Sequence, residues 1–310
     1  MHQAVNNVYV MELLATGFNA WRQLHFESVN TSGEPADIMS FQPVLKKKLI
    51  GRPSSLLSCT FVRTDSGIRH AGFVKDVPEG IRDKLLASTA AIAGNGIIAE
   101  YDGRDTIYQY SSRHVVQAQE KEAFSEMGHI VQLVAYETGF VALSHDGRVW
   151  TWGDERYSAC LGRQVTHSSP AERPGLVEEL QDLPTGRISK ISAAGYVILA
   201  LTEGHDLYAW GGHPGRPALL ENLSSDPMPV VVEESDIIDC GVGESHIIVL
   251  TSDGHVYVIG GNANGQLGLP VEEAKSWTKV SLNLGVGHAI SGVEAGQRTS
   301  FILTKNQIPR

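Results

Sequence analysis

Histidine and serine residues are the side chains of this 310-residue chain that are best suited to catalysis. Twelve histidines are present, and Ser245 directly precedes His246, a pair that resembles a nucleophile with its base. Neighbouring residues on a strand point to opposite faces, so these two side chains cannot act side by side. No histidine lies in an H-E-x-x-H motif or in a Cys/His spacing that suits zinc. The sequence therefore predicts no catalytic residue and no metal.

A glycine-rich segment, Gly260 to Gly268 (GGNANGQLG), has the composition of a phosphate-binding loop. It lacks the Lys-Ser/Thr ending of such a loop and does not open a helix, so it predicts a turn at a strand end, and no cofactor is expected. The three cysteines, Cys59, Cys160 and Cys240, form no C-x-x-C pair. They predict buried, reduced thiols, as in a protein of the cytoplasm, the nucleus or both.

The elements that would position these residues form a repeat along the chain. Each copy has an apolar run, a polar turn with glycine and a second run rich in Val, Tyr and Trp, which is typical of a β-hairpin. The turn glycines are Gly67, Gly103, Gly147, Gly204 and Gly254. Their spacing of 36 to 57 residues predicts propeller blades or solenoid repeats.

The two ends of the sequence favour a closed ring. Residues 293–304 form the first half of a repeat, and residues 8–24 supply the other half. The alignment places Gly17 on Gly260, Asn19 on Asn262 and Gln23 on Gln266. A strand that completes the last blade in this way leaves no open sheet edge. We therefore predict an all-β fold, a closed β-propeller of six or seven four-stranded blades whose last blade is completed by the N-terminal strand.

The same reasoning predicts one propeller domain over residues 1–310. Strong repeats occupy residues 135–269, and degenerate repeats occupy 25–130, where a seventh blade would lie. Residues 87–99 are small and interrupted by two glycines, which favours a buried strand or turn over a membrane span. No charged-then-apolar leader precedes the first strand, so we expect neither secretion nor membrane insertion.

The best repeat carries the pattern of a known family. The pattern includes Gly243, His246, Leu250, Thr251, Asp253, Gly254, Val256, Tyr257 and then Gly260 to Gly268. It resembles the repeat of the regulator of chromosome condensation superfamily, strongly in 239–269, well in 135–162 and 193–212, and faintly in 25–130. The resemblance implies a bond from His246 to backbone between blades, and seven blades rather than the six readable ones. It also implies functions such as guanine-nucleotide exchange on a Ran-type GTPase, chromatin docking or partnering a modifying enzyme, without choosing among them.

The charge of the chain helps to choose among these functions. It carries 25 basic and 35 acidic residues, a net charge of −10. Binding to nucleic acid depends on Lys and Arg that release counterions from phosphate, and the only compact basic run is Lys46 to Lys48 with Arg52 nearby. Direct nucleic-acid binding is therefore disfavoured, and an acidic surface suits a protein partner better.

Hairpin geometry predicts where such a partner binds. Loops before each second strand and after each third strand gather on the face opposite the glycine turns. We predict that this face carries Trp21, Arg22, Tyr136, Glu137, Asp154, Arg156, Tyr157, Tyr196, His213, Arg216, Glu244, Asn264, Gln297 and Arg298. Trp, Tyr and Arg dominate binding hot spots, and Trp21-Arg22 replaces the Asn264-Gly265 of the best repeat. Trp152 and Trp210, by contrast, are expected to pack blade against blade.

The function favoured by these observations is that of a non-catalytic scaffold. We expect a monomeric protein-interaction propeller that docks on and regulates a partner, either a modifying enzyme or a small GTPase. The alternative is a guanine-nucleotide exchange factor for a Ran-type GTPase, and a weaker one is a small-molecule enzyme that uses the central funnel. The sequence leaves open whether the protein has enzymatic activity.

Overall fold

The glycine-turn repeats form antiparallel hairpins arranged as six successive blades in the computed structural model, which describes residues 9–27, 33–110 and 121–307. The first two strands, β1 (Tyr9–Gly17) and β2 (Ile38–Lys47), belong to the last blade, blade 6. Blade 1 contains β3 (Ser54–Ser55), β4 (Cys59–Thr64) and β5 (Gly67–Gly72), and is followed by helix α1 (Glu79–Leu86). Blade 2 contains β6 (Ala90–Ile92), β7 (Ile98–Tyr101), β8 (Ile107–Tyr110) and β9 (Lys121–Phe124).

The remaining blades follow in chain order. Blade 3 contains β10 (Ile130–Tyr136), β11 (Gly139–Ser144), β12 (Val149–Gly153) and β13 (Gly175–Leu176), with 3₁₀ helices at Glu155–Leu161 and Glu178–Leu180. Blade 4 contains β14 (Ile188–Ala194), β15 (Val197–Thr202), β16 (Leu207–Gly211) and β17 (Met228–Val230). Blade 5 contains β18 (Ile237–Val242), β19 (His246–Thr251), β20 (Val256–Gly261) and β21 (Glu273–Lys279). Blade 6 adds β22 (His288–Gly296) and β23 (Thr299–Gln307).

Blade 6 joins the two ends of the described chain. Its strand order is β22-β23-β1-β2, and β1 pairs antiparallel with β23 from Tyr9 opposite Gln307 to Gly17 opposite Thr299. The predicted closure by the N-terminal strand is confirmed. The N-terminal part of the chain in fact supplies two strands, since β2 pairs with the free edge of β1.

The degenerate region, residues 25–130, differs from the four-stranded prediction in one blade. Among the described residues there are six sheets rather than seven, and blade 1 has three strands where the others have four. Helix α1 follows β5 in place of a fourth strand. Pro78 precedes the helix, Glu79 lies in its first turn and Lys84 in its last, which suits the helix dipole. Ile81 and Leu85, four residues apart, bury one helix face between blades 1 and 2.

The predicted hairpin turns are confirmed, with one change in backbone conformation. Gly67, Gly103, Gly147 and Gly254 have φ angles of 104°, 83°, 85° and 82°. In the hairpin of blade 4 the positive φ, 75°, falls on His205 instead of Gly204. The segment 87–99 forms β6, a glycine turn and the start of β7. The described residues include no helix that is long and apolar enough to cross a membrane.

A glycine at or next to the end of the third strand is required by a close backbone contact in four blades. These glycines are Gly17, Gly72, Gly211 and Gly260, with φ angles of 115°, 84°, 119° and 113°. A Cβ atom at any of them would lie 2.2 to 2.3 Å from the carbonyl oxygen that precedes the second strand of the same blade. Only glycine combines this φ with this approach.

Buried tryptophans connect consecutive blades, as predicted. Trp152 and Trp210 are 1% and 0% exposed. Nε1 of Trp152 donates to Oε1 of Gln109 in blade 2 at 2.8 Å, and Nε1 of Trp210 donates to the carbonyl oxygen of Cys160 in blade 3 at 3.1 Å. Burial of each ring contributes about 1.5–3 kcal/mol, and the indole bond fixes its orientation.

His246 has the structural role that the family resemblance implies. Its Nε2 lies 3.2 Å from the carbonyl oxygen of Thr299 and 2.9 Å from Oγ of Ser300, both on blade 6. Burial lowers the pKa of His246 to about 4, so the ring is neutral at pH 7. The three cysteines are buried and form no disulfide with one another, as predicted.

Candidate functional site

The loops between the first and second strands of all six blades meet at one end of the ring, which we call the upper face. Residues from these loops line a cavity of about 490 Å³ at the mouth of the central channel, and they include Ser58, Gly94, Glu137, Gly195, Glu244 and Arg298. Backbone bonds connect neighbouring loops: Glu137 N donates to Gly195 O at 2.8 Å and Glu244 N donates to Gln297 O at 2.7 Å. The hairpin turns lie at the opposite end, the lower face.

The first strand of each blade lines the channel below this mouth. A cavity of about 610 Å³ is bordered by residues of β3, β6, β10, β14, β18 and β22. In four blades the first strand carries an irregularity in its pairing at the same place, between Ile130 and Gln132, Ile188 and Lys190, Ile237 and Asp239, and Ile290 and Gly292. Such a bulge turns the next side chain away from the regular alternation.

In blades 3, 4 and 5 the residue after the bulge contacts the following blade. Gln132 bonds through its amide with the backbone N and O of Ile191, at 2.9 and 2.7 Å. Nζ of Lys190 donates to Oδ1 of Asp239 at 2.7 Å, and Oδ2 of Asp239 accepts from the backbone N of Val293 at 2.9 Å. The equivalent residue in blade 6 is Gly292. These contacts form a polar belt that connects blades 3, 4, 5 and 6.

Arg52, which precedes β3, completes the belt from blade 1. Its guanidinium donates to Asp239 Oδ2 at 2.9 Å and to Glu294 Oε1 at 2.5 Å. Glu294 Oε1 also accepts from Lys190 Nζ at 3.1 Å. Burial alone would raise the pKa of Asp239, but Lys190 and Arg52 outweigh it and hold that pKa below its usual value. The positive charges of Arg52 and Lys190 balance the negative charges of Asp239 and Glu294. Because these residues lie on different blades, their bonds connect the blades along the channel wall.

Five of the predicted partner-binding residues come together on the upper face beside blades 3 and 4. The ring centroids of Tyr157 and Tyr196 are 4.9 Å apart, and that of His213 lies 4.7 Å from Tyr196 and 5.5 Å from Tyr157. Arg156 lies 6.0 Å from the Tyr157 centroid and Arg216 lies 5.9 Å from that of Tyr196. We call these five residues the aromatic-arginine cluster.

The cluster is partly held in place by its own loops. Asp154 caps the 3₁₀ helix by accepting from Arg156 N at 3.0 Å, and its carboxylate also accepts from the Arg156 guanidinium at 2.6 Å. The hydrogen bond from Arg156 holds the pKa of Asp154 below its usual value. Burial raises the pKa of Tyr196 to about 12, so its phenol remains a neutral hydrogen-bonding group. The three rings are half-buried, while Arg156 and Arg216 are exposed.

Trp21 forms a second exposed apolar patch at the rim of the upper cavity. Its side chain is 50% exposed and packs on Phe73 of blade 1, with ring centroids 5.8 Å apart. Phe73 and Leu57 are also exposed, at 37% and 40%. Arg22, the next residue, has a φ of 58° and donates to the carbonyl oxygen of Gly33 at 2.5 Å. Leu57 and Phe73 were missed from sequence because they flank strands of a degenerate repeat.

The other predicted residues are engaged within the protein. Arg298 is exposed and donates to Glu244 Oε2 at 2.8 Å, and Asn264 Nδ2 donates to Asp37 Oδ2 at 2.8 Å. Tyr136 is not on the accessible surface. Its side chain is 1% exposed, because the last residue of β10 points between blades 3 and 4, and its hydroxyl donates to Trp152 O at 3.3 Å.

Sequence reasoning also missed the polar belt. Lys190 and Asp239 lie 49 residues apart, and each follows an isoleucine by two residues at the start of its blade. That shared position is the signal that marks them. Within residues 9–27, 33–110 and 121–307, no group of three or more His, Cys, Asp or Glu side chains is placed to hold a metal ion.

Comparison with known proteins identifies the repeat. A family model of the Regulator of chromosome condensation (RCC1) repeat matches residues 237–266, which contain His246 and the hairpin turn of blade 5. The chain carries the RCC1-type repeat and folds as an RCC1-like propeller. The mouse regulator of chromosome condensation is 32% identical over 143 residues, which cover 45% of this chain and 32% of that protein. Human E3 ubiquitin-protein ligase HERC2 is 29% identical over 173 residues, covering 52% of this chain and 3% of HERC2.

Two solved structures share the fold of this chain. Prp20p from Saccharomyces cerevisiae, described with its binding to Gsp1p and histones, superposes with a TM-score of 0.67 at 13% identity, covering 100% of this chain and 94% of Prp20p. Human WBSCR16 superposes with a TM-score of 0.57 at 18% identity, over 95% and 81% of the two chains. At these identities the likeness concerns the fold. The matched segments span about a third or less of the two curated relatives described above.

Proposed function

We propose that this RCC1-like propeller is a non-catalytic interaction protein that docks on a partner protein through its upper face. The observation that carries the proposal is the aromatic-arginine cluster. Tyr and Arg are enriched at binding hot spots because a rigid ring buries a large area while its polar group, or a guanidinium beside it, supplies directional hydrogen bonds. Here two tyrosines, a histidine and two arginines from neighbouring blades form one continuous surface.

The position of the cluster supports the same proposal. Loops of all six blades border the upper cavity, so a partner that sits over the channel mouth contacts many of them at once. Trp21 and Leu57, at the rim of that cavity, add exposed apolar area of the kind that stable interfaces bury. The net charge of −10 suits a partner with a basic surface around these contacts.

The matched test compares two Asp-x-Arg pairs on opposite faces. Arg156 pairs with Asp154 on the upper face, and Arg148 pairs with Asp146 in a lower-face turn, with both arginines exposed. Affinity capture from cells of the source organism is quantified by mass spectrometry for wild type, for Arg156→Glu with Arg216→Glu, and for Arg148→Glu. We expect a partner that is retained by Arg148→Glu and depleted at least about tenfold by the double variant.

The result that contradicts upper-face docking is equal partner recovery by all three folded proteins. Each variant is first compared with wild type in thermal unfolding, because loss of binding is informative only for a folded protein. Trp21→Ala is a second upper-face variant whose side chain is half exposed and therefore contributes little to the core.

Guanine-nucleotide exchange on a Ran-type small GTPase is the second candidate. The observation in its favour is the match over the whole described ring with Prp20p, the protein described with binding to Gsp1p. Exchange requires no catalytic triad, because the factor acts by binding the nucleotide-free state of the GTPase more tightly. Release of labelled nucleotide from a Ran-type GTPase tests it. Unchanged release with catalytic amounts of this protein would exclude this candidate.

The proposed setting is a monomer in the cytoplasm, the nucleus or both. Cys59, Cys160 and Cys240 are buried and form no disulfide with one another, which suits a reducing compartment, and burial raises the pKa of Cys160 and Cys240 to about 12. Light scattering of the purified protein and imaging of a fluorescent fusion test these two statements separately.

A further inference from the structure

Blade 1 has an outer strand with one free edge. Among the residues that the structure describes, β5 pairs with β4 alone, whereas the third strand of every other blade pairs on both sides. Helix α1 does not cover that edge, since its buried residues Ile81 and Leu85 pack with Cys59 and Phe61 of β4 and with blade 2. Within residues 9–27, 33–110 and 121–307, the position of a fourth strand in blade 1 is therefore vacant.

The backbone of β5 presents hydrogen-bonding groups at this edge. Thr64 and Gly67 flank a two-residue loop, so their backbone groups bond to each other across the hairpin. From Gly67 onwards, the N–H and C=O groups of β5 residues point alternately towards β4 and away from it. Ile68 and His70 are the outward residues, and the side chains of Arg69 and His70 are exposed. Free N–H and C=O groups in a row are a template for another extended strand.

The turn that follows β1 in blade 6 faces the same vacancy. The equivalent turn in blade 5 shows that such a turn packs on the fourth strand of the next blade. In blade 5, Gly265 and Gly268 pack on the fourth strand of blade 6. A Cβ at Gly265 would lie 2.7 Å from Met39 Cα, and one at Gly268 would lie 2.5 Å from Phe41 Cδ2. In the aligned turn of blade 6, Arg22 and His25 occupy the places of these two glycines.

A cavity of about 390 Å³ lies where the missing strand would contact that turn. It is lined by Trp21, Arg22, His25, Phe26, Glu27, His70, Ala71 and Gly72. Arg22 keeps the left-handed backbone of its counterpart, with a φ of 58° against 79° for Gly265. A non-glycine residue in that conformation is strained, and such strain is concentrated at binding sites.

We infer that blade 1 binds an extended acidic segment of a partner protein, which pairs with β5 as the fourth strand of the blade and places a side chain in the cavity beside Trp21. Strand addition at a sheet edge is an established mode of peptide recognition, in which backbone bonds give affinity and pockets give specificity. Arg22 lines this cavity with one carboxylate, Glu27, and Arg69 is exposed on β5 itself, in a chain of net charge −10. A second copy would bring another Arg69 to the same edge, so the charge favours an acidic partner.

A peptide selection tests the inference with a matched pair of variants. A phage-displayed library of random peptides about 12 residues long is selected on wild type, and the enriched peptides are synthesised for affinity measurement. His70→Pro removes the outward N–H, whereas His70→Ala removes only the side chain. We expect acidic peptides that bind His70→Pro at least about tenfold more weakly than His70→Ala, and Arg69→Glu at least about fivefold more weakly than wild type.

Three outcomes would overturn the inference. They are the absence of any enriched peptide, equal binding to folded His70→Pro and His70→Ala, and binding lost only in Arg156→Glu with Arg216→Glu, which would place the peptide on the upper face. A dimer in light scattering that His70→Pro dissociates would make a second copy the occupant and also contradict it. Should His70→Pro fail to fold, Arg69→Glu decides, because unchanged peptide affinity in that exposed variant removes the acidic partner.

Discussion

Nζ of Lys190 lies 2.7 Å from Oδ1 of Asp239 and connects the first strand of blade 4 to that of blade 5. The side chains are 14% and 5% exposed, so both charges are largely removed from water. Each compensates the other: burial alone would lower the pKa of Lys190, but Glu294 and Asp239 raise it overall. Buried pairs of this kind are costly to break from one side because the remaining charge keeps its desolvation penalty.

Lys190→Met should lower the free energy of unfolding by about 3 kcal/mol, since it leaves Asp239 and Glu294 with Arg52 alone. Lys46→Met is the matched control, because Lys46 Nζ also lies 2.7 Å from a carboxylate, that of Glu12, but is 64% exposed. Its loss should cost less than about 1 kcal/mol. Urea denaturation measures both, and equal costs would show that the channel pair is no stronger than a surface one.

Acid should destabilise the protein through His246 before most carboxylates titrate. Its folded pKa of about 4 lies below the unfolded value of about 6.5. Because the folded state disfavours the protonated ring, the stability that depends on neutral His246 is fully present above pH 6.5. It is lost as the pH falls towards 4, by about 3 kcal/mol. His246→Gln should be less stable at pH 7 and show a flatter pH dependence over that window. Parallel pH profiles for the two proteins would argue against the buried neutral ring.

Truncation of two tryptophans should affect stability and partner binding to different extents. Trp210→Ala removes a fully buried ring and its bond to Cys160 O, so the free energy of unfolding should fall by about 3–5 kcal/mol. Trp21→Ala removes a half-exposed ring at the upper face and should cost less than about 1 kcal/mol while weakening partner capture. Thermal melts and capture yields separate the two effects. An unchanged melting temperature for Trp210→Ala would contradict the packing of blade 4 on blade 3.

Two glycines with positive φ should differ in their tolerance of alanine. Gly260 has a φ of 113°, and a Cβ there would lie 2.3 Å from Ser245 O, so Gly260→Ala should cost about 3 kcal/mol. Gly254 has a φ of 82°, but no atom lies within 4 Å of an added Cβ. Gly254→Ala should therefore cost only the conformational strain, about 1 kcal/mol. Chemical denaturation of the two variants checks the order, and a costlier Gly254→Ala would reverse the argument.

The parts of the fold that were predictable from sequence are those encoded locally. Alternating apolar runs and glycine turns specify hairpins over about a dozen residues. The alignment of Asn19 with Asn262 extends to their bonds, since Asn19 Oδ1 accepts from Leu24 N at 3.1 Å and Asn262 Oδ1 from Leu267 N at 2.8 Å. Because the same side-chain bond recurs in both turns, the asparagine is present in both segments, and the alignment that predicted ring closure could be made.

The parts that were not predictable depend on contacts between blades. Tyr136 carries a hydroxyl and ends a strand, which suggests exposure, yet the register of β10 turns it into the core. The Lys190–Asp239 pair joins strands that no local pattern connects. Helix α1 has eight residues and lies in a region without clear repeats, so its short amphipathic pattern did not stand out against the expected fourth strand. The partner-binding residues remain a prediction.

Pairing of β1 with β23 has a consequence for biosynthesis. Tyr9 meets Gln307, so β1 and β2 leave the ribosome well before the strands that receive them. At about 5–20 residues per second, close to 300 residues take roughly 15–60 s to translate. Throughout that interval β1 has one edge without its native neighbour, and nascent chains on the same messenger carry the same edge. Chaperone demand during synthesis should therefore concentrate on β1 and β2, long before blade 6 is complete.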